Sequence, residues 1–131
     1  MTNARILVVD DENDIRELVR EILSEEGYTV ETAGNAAEAR AACAQQAPDL
    51  VLLDIGLPGM SGIEAVRRLS ETHPELQILM LTVYADNEHV FEAICAGASG
   101  YLLKDTPPER LVSAIRELAA GGAPMSPEVA R

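Results

Sequence analysis

Three aspartates, one threonine and one lysine carry the chemistry open to this sequence. Asp10 and Asp11 follow the apolar run Ile6–Val9, and Asp54 follows Leu50–Leu53. Thr82 ends the run Leu76–Leu81, and Lys104 follows Ser99–Leu103. Short apolar runs of this kind suit parallel strands covered on both faces. Open parallel sheets place ligand sites beyond the carboxyl ends of their strands. All five residues would then surface on one edge. Three neighbouring carboxylates repel one another, and one would be protonated unless a cation lies among them. The cation that fits a few carboxylates and several waters is Mg²⁺, with a backbone carbonyl, expected from Gly56, as a further ligand. A hydroxyl and an ammonium beside such an ion make a pocket for a phosphoryl group. The metal and Lys104 would neutralise its equatorial oxygens while a carboxylate attacks phosphorus. Taken singly, each residue has a plainer reading: a helix cap, a turn former, a strand threonine, a solvated lysine. Their joint placement at strand ends favours the site.

The elements that must position these residues alternate regularly. Apolar residues at Ile15, Leu18, Val19, Ile22 and Leu23 mark the face of a first helix, which Gly27 stops. Tyr28–Ala33 reads as a strand. Asn35 with Glu38 forms a capping box for an alanine-rich helix closed by Pro48, and Ser61 with Glu64 forms another. Val90, Phe91 and Ile94 mark a short helix ended by Gly97. Thr106-Pro107-Pro108-Glu109 predicts the last helix, with Thr106 as N-cap and Leu111, Val112, Ile115, Leu118 and Ala119 as its buried stripe. Five strands alternating with five helices predict a doubly wound, flavodoxin-like α/β fold with a parallel sheet of order 2-1-3-4-5. That order makes the first and third strands neighbours, so Asp10, Asp11 and Asp54 meet. Residues 1–122 form the expected domain, and 123–131 a tail or the start of a linker.

The 131 residues are enough to bury a core, and the 47% hydrophobic content is that of a globular protein. A formal net charge of −12 argues against nucleic-acid binding through this segment. No run is long enough for a membrane span, and residues 1–10 lack a secretory layout. Cys43 and Cys95 match no metal or redox spacing, and both are expected as buried thiols. A reduced, cytoplasmic protein is expected.

From residue 4 to about 122 the chain closely resembles the receiver domain of response regulators, the phospho-accepting module of two-component signalling. The resemblance rests on Val8-Val9-Asp10-Asp11-Glu12, Leu53-Asp54, Leu57-Pro58-Gly59-Met60 with Gly62, Leu81-Thr82, and Gly97-Ala98-Ser99-Gly100-Tyr101-Leu102-Leu103-Lys104. It implies Asp54 as phosphoacceptor, Asp10 and Asp11 as the acidic metal pair, and a metal-binding carbonyl at Gly56. Thr82 and Lys104 become phosphate contacts. Tyr101 becomes a switch aromatic that turns inward when the threonine moves to the phosphate. The stretch Gly97–Thr106, Gly121-Gly122 and Ser126-Pro127-Glu128-Val129-Ala130 is similar to the NarL/LuxR-type branch, in which a helix-turn-helix DNA-binding domain follows. The resemblance thus implies a sensor histidine kinase as partner, a homodimer through the last two helices or the first and last, and DNA contact only through a domain beyond Arg131. A fragment is favoured over a stand-alone receiver. Two positions depart from the pattern. Asp105 stands where proline with a cis bond is frequent, and a non-proline cis bond costs about 2.5–4 kcal/mol. Ser61 replaces a frequent acid, which should affect capping more than chemistry.

Rival readings fit less well. An aspartyl-nucleophile phosphatase needs a second acid two residues after the nucleophile, and that position is Gly56. A flavodoxin-like electron carrier needs a hydroxyl- and glycine-rich first loop, where this chain has Asp10-Asp11-Glu12. A scaffold that has lost its site is disfavoured because no expected site residue is missing. The chain is expected not to be an enzyme beyond its own phosphotransfer and dephosphorylation.

Overall fold

The computed structural model describes residues 4–126. The elements in chain order are β1 (Arg5–Val9), α1 (Asn13–Glu25), β2 (Thr29–Ala33), α2 (Ala36–Gln45) and β3 (Leu50–Leu53). They continue with α3 (Gly62–Thr72), β4 (Gln77–Thr82), α4 (Asn87–Ala96), β5 (Gly100–Leu103) and α5 (Pro108–Ala119). The strands form one parallel sheet in the order β2-β1-β3-β4-β5, as the pattern predicts. Strand side chains alternate between faces, and here both faces are dry. Leu7, Val9, Val51, Leu53, Ile78, Met80 and Tyr101 pack under α2, α3 and α4. Ile6, Val8, Leu50, Leu52, Leu79, Leu81 and Leu102 pack under α1 and α5. This is why β1, β3, β4 and β5 read as apolar runs, whereas the edge strand β2 keeps Thr29 and Glu31 exposed.

The register sets the functional edge. Val9 pairs with Leu53, and Leu53 with Met80, so the residues after β1 and β3 emerge side by side. The ladder runs one step past the strand ends: Asp54 N donates to Val9 O at 3.1 Å, and Lys104 N to Thr82 O at 2.9 Å. Behind Asp54 the chain turns sharply into α3, and Gly62 N donates to Ile55 O at 2.8 Å. A Cβ on Gly62 would overlap the Asp54 carbonyl oxygen, so only glycine lets α3 start this close.

Several details depart from expectation. Leu18 is 54% exposed, because Val19 and Leu23 already fill the α1 seat. On α4 the buried face is Ala93 and Ala96, while Phe91 is 70% exposed and Ile94 is also exposed. Small residues let α4 lie close to the sheet and turn the large apolar ones outward. Cys95 goes out with them, so only Cys43 is the buried thiol expected of both. Ala119 is exposed on α5, and Ala114 takes its place in the stripe. Asn35 caps α2 by accepting from Glu38 N, but Glu38 reaches back to Gly34 N rather than to Asn35. Ser61 accepts from Ile63 N, while Glu64 turns outward to Arg67 and Arg68. The α5 N-cap is Pro107, without a side-chain cap bond, rather than Thr106. A residue before proline is driven out of the helical region, so Pro107 stays extended (ψ 152) and Pro108 becomes the first helical residue.

Past α5 the chain returns to the sheet. Tyr101 N donates to Pro124 O at 2.9 Å and Ser126 N to Tyr101 O at 3.0 Å, with Met125 bridged in parallel to Tyr101. The rest of the expected tail, Pro127, Glu128, Val129, Ala130 and Arg131, lies outside the described residues. The described peptide bonds include no cis bond, so Lys104–Asp105 is trans. None of the described helices is long and apolar enough to cross a membrane.

Candidate functional site

The strand ends bring the expected residues together. Asp10, Asp11 and Asp54 each offer a carboxylate oxygen within 4.8 Å of the others'. Asp10 and Asp54 are 2% and 5% exposed, and Asp11 faces solvent. Lys104 reaches across from the end of β5. Its Nζ lies 2.8 Å from Asp10 Oδ2, 3.2 Å from Asp54 Oδ2 and 3.3 Å from Glu12 Oε1. The cation among the acids is thus Lys104 itself, a residue that the strand-end pattern assigns to phosphate. Asp10 Oδ1 also accepts from Glu12 N at 2.9 Å.

The charges leave marked tensions. Burial pushes the Asp10 carboxyl up despite the opposing Lys104 and Glu12 N–H bonds. Burial alone would pull the Lys104 ammonium down, but its bond to Asp10 and the charge of Asp54 win and hold it up. Among the described residues, two buried oxygens have no hydrogen-bond partner, Asp54 Oδ1 and Thr82 Oγ1. A buried polar atom without a partner costs about 1–3 kcal/mol. An orphan acceptor and an orphan hydroxyl on adjacent strands suit a ligand that supplies the missing bonds.

Tyr101, the residue expected to turn inward, is already inward. Tyr101 is fully buried, and its hydroxyl donates to Tyr84 O at 2.6 Å. Burial, then the charges of Asp86 and Asp54, push its phenol pKa up, which keeps the donor proton in place. Thr82 Oγ1 remains unpartnered all the same, so the inward ring does not require the threonine to have found an acceptor. Tyr84 roofs the site. A Cβ on Gly56 would lie 3.9 Å from the Tyr84 ring and 3.8 Å from Asp54 Oδ2. His89 stacks on Tyr84 with centroids 4.4 Å apart, and its Nδ1 lies 2.7 Å from Asp86 Oδ1.

Comparison with known proteins gives the family. The family model described as the response regulator receiver domain matches residues 6–116. The chain belongs to the response-regulator receiver family. A two-component response regulator of the LuxR family from Aurantimonas sp. SI85-9A1 superposes on this receiver with a TM-score of 0.92. It shares 38% identity, with 98% of this chain and 93% of that one covered. The transcriptional regulatory protein YxjL of Bacillus subtilis is 41% identical over 91% of this chain and 56% of its own length. The oxygen regulatory protein NreC of Staphylococcus carnosus is 34% identical over 95% of this chain and 59% of its own. The receiver therefore spans little more than half the length of these curated relatives. Receivers are signalling modules of two-component systems rather than enzymes, and a histidine kinase is the partner that such a module implies.

Receivers hold Mg²⁺ in an acidic pocket, and the donor set here fits one. Asp10, Asp11 and Asp54, with Glu12 as a further partner of Lys104, outnumber the one ammonium, an excess of negative charge that a divalent ion offsets. Octahedral oxygens about 2.0–2.1 Å from Mg²⁺ stand at most about 4.2 Å apart. A span of 4.8 Å thus needs slight closure or a water between ion and carboxylate. Asp54 Oδ1 is the donor still free. Three features of this receiver escape a reading of the sequence: Glu12 as a third Lys104 partner, the His89–Tyr84 stack and the Asp86 cap. Only Asp86, an Asp just before a helix, carries a local signal.

Proposed function

We propose that this receiver is a phosphorylation switch in which Asp54 accepts a phosphoryl group from a histidine kinase. The observation that carries this reading is the pair of buried, unpartnered oxygens, Asp54 Oδ1 and Thr82 Oγ1, beside a pocket whose carboxylates outnumber its one ammonium. An Asp54 oxygen attacks phosphorus, the bond from phosphorus to the donor nitrogen breaks, and an acyl phosphate forms. Mg²⁺, when bound by Asp10, Asp11, Asp54 and the Gly56 carbonyl, would neutralise phosphoryl oxygens. Lys104 exchanges a carboxylate for a phosphoryl oxygen, and Thr82 donates its hydroxyl to another. Tyr84, stacked against His89, restricts the path of water to the acyl phosphate. A helix-turn-helix DNA-binding domain following this module is the output that the relatives' role in transcription favours. Self-association through the last two helices would draw its apolar contacts from Phe91 and Ile94 on α4, because Leu111 and Ile115 are buried.

Incubation with acetyl phosphate and Mg²⁺, followed by intact-mass measurement, tests the reading. The wild type gains one phosphoryl mass, and neither Asp54→Ala nor the chelated wild type does. Equal gain in Asp54→Ala would remove Asp54 from the role.

A further inference from the structure

We propose that residues 123–126 act as a positioning strand for Tyr101, so that grip on the phosphoryl group and grip on the chain up to Ser126 are one equilibrium. This coupling rests on the phosphorylation reading and adds a route by which the site reaches the chain that follows α5.

Tyr101 is held at both ends. Its hydroxyl is bonded to Tyr84 O, two residues past Thr82 in the loop that roofs the site. Its backbone N–H and C=O are both bonded to the returning segment, through Pro124 O and Ser126 N. The segment is built to lie there. Ser126 is buried, and its Oγ accepts from Leu103 N at 3.0 Å, filling a ladder position with a side chain. Gly100 makes room for the segment, since a Cβ there would stand 2.7 Å from Pro124 O. Met125 stands opposite Tyr101 and packs against the same core layer as the tyrosine ring. An outward swing of that ring would therefore strip Met125, bridged to Tyr101, of part of its packing. The inward ring and the docked strand support each other, and coupling between two sites is reciprocal by thermodynamic necessity. A phosphoryl oxygen that takes the unpartnered Thr82 hydroxyl fixes the loop that carries the Tyr84 carbonyl, to which the inward ring is bonded; it must then tighten the strand, and loosening the strand must weaken the site's hold.

The test uses the full chain, with beryllofluoride and Mg²⁺ as the probe of the phosphoryl site. Amide exchange is followed residue by residue, and beryllofluoride affinity is measured for the wild type, Ser126→Ala, Met125→Ala and Met125→Leu. Saturating beryllofluoride slows exchange at Tyr101, Leu103 and Ser126 by about 3- to 5-fold and leaves the β2 amides unchanged. Ser126→Ala and Met125→Ala weaken beryllofluoride binding by a similar factor, and the volume-conserving Met125→Leu restores it. Unchanged or faster exchange at the three amides overturns the proposal, as does unaltered affinity in both weakened variants. Those failures leave wild-type binding intact. Absence of binding in the wild type overturns the phosphorylation reading instead, and the coupling with it.

Discussion

Two charge clusters built from the same kinds of group behave oppositely in this molecule. At the strand ends, the buried Asp10 and Asp54 share one ammonium, Lys104, with the exposed Glu12, and Asp11 stands beside them. On α3, Glu64 is shared in the open by Arg67 and Arg68, three and four residues further along the helix. The surface cluster satisfies its carboxylate, and solvent screens what is left over. The buried cluster keeps an excess of negative charge and leaves Asp54 Oδ1 without a partner. Burial without satisfaction lowers stability, so its persistence points to a ligand that completes the set.

The sharpest way to break that contrast is to remove one cation from each cluster. Lys104→Ala takes away the protein cation that Asp10 and Asp54 share and the proposed contact to a phosphoryl oxygen. Phosphorylation by acetyl phosphate should slow by about 100-fold, the scale of losing one preorganised electrostatic contact. Arg67→Ala should leave that rate within about twofold, since Arg67 pairs with Glu64 on the surface of α3. Time courses of intact mass decide it. A Lys104→Ala loss no larger than that of Arg67→Ala would erase the distinction.

A smaller effect should run in the opposite direction to ordinary damage. Burial raises the Asp10 carboxyl above its ordinary value of 3.8. A carboxyl with a raised folded pKa binds its proton more tightly when folded, so its ionisation subtracts stability. The loss is absent well below 3.8 and grows as pH rises through the raised value. Asp10→Asn should therefore raise Tm by a few degrees at pH 7 without Mg²⁺, with the gain shrinking as pH falls toward the ordinary carboxylate range. Lys104 retains Asp54 and Glu12 as partners in the variant. Added Mg²⁺ should stabilise the wild type more than the variant and narrow the gap. A variant that melts lower at pH 7 without metal would show that Asp10 is satisfied by Lys104 alone.

The site is legible in the sequence because it sits where patterns end. Asp10, Asp54, Thr82 and Lys104 close apolar runs, and strand order alone brings such endings together. What escapes depends on contacts between distant parts of the chain. Nothing around Lys104 says that its ammonium rests on acids that follow β1 and β3 rather than in solvent. The α4 face misleads because Val90, Phe91 and Ile94 follow helical spacing, while the alanines that let the helix lie close carry little hydrophobic signal. The strand at 123–126 is unreadable for a related reason. A single bridge at Met125 and one serine hydroxyl make no period, so the segment looks like a tail until β5 is in place.

The smallest expected effect completes the contrast by its sign. Glu64 is held below the usual carboxylate range, first by its hydrogen bond from Arg68, against an opposing push from desolvation, and with further help from Arg67. A depressed carboxyl adds stability above its unfolded value and loses it as pH falls through the folded one. Glu64→Gln should thus lower Tm at pH 7, the reverse of Asp10→Asn, but by no more than about 2 °C because both arginines and the acid are solvated. High salt should remove most of that difference, since exposed charges are screened within about 10 Å at 0.1 M and less at higher salt. The Asp10→Asn gain should survive the same salt better, because buried charges are screened much less. Thermal melts of the two variants at low and high salt therefore separate a carboxylate that holds the fold from one that the fold holds at a cost.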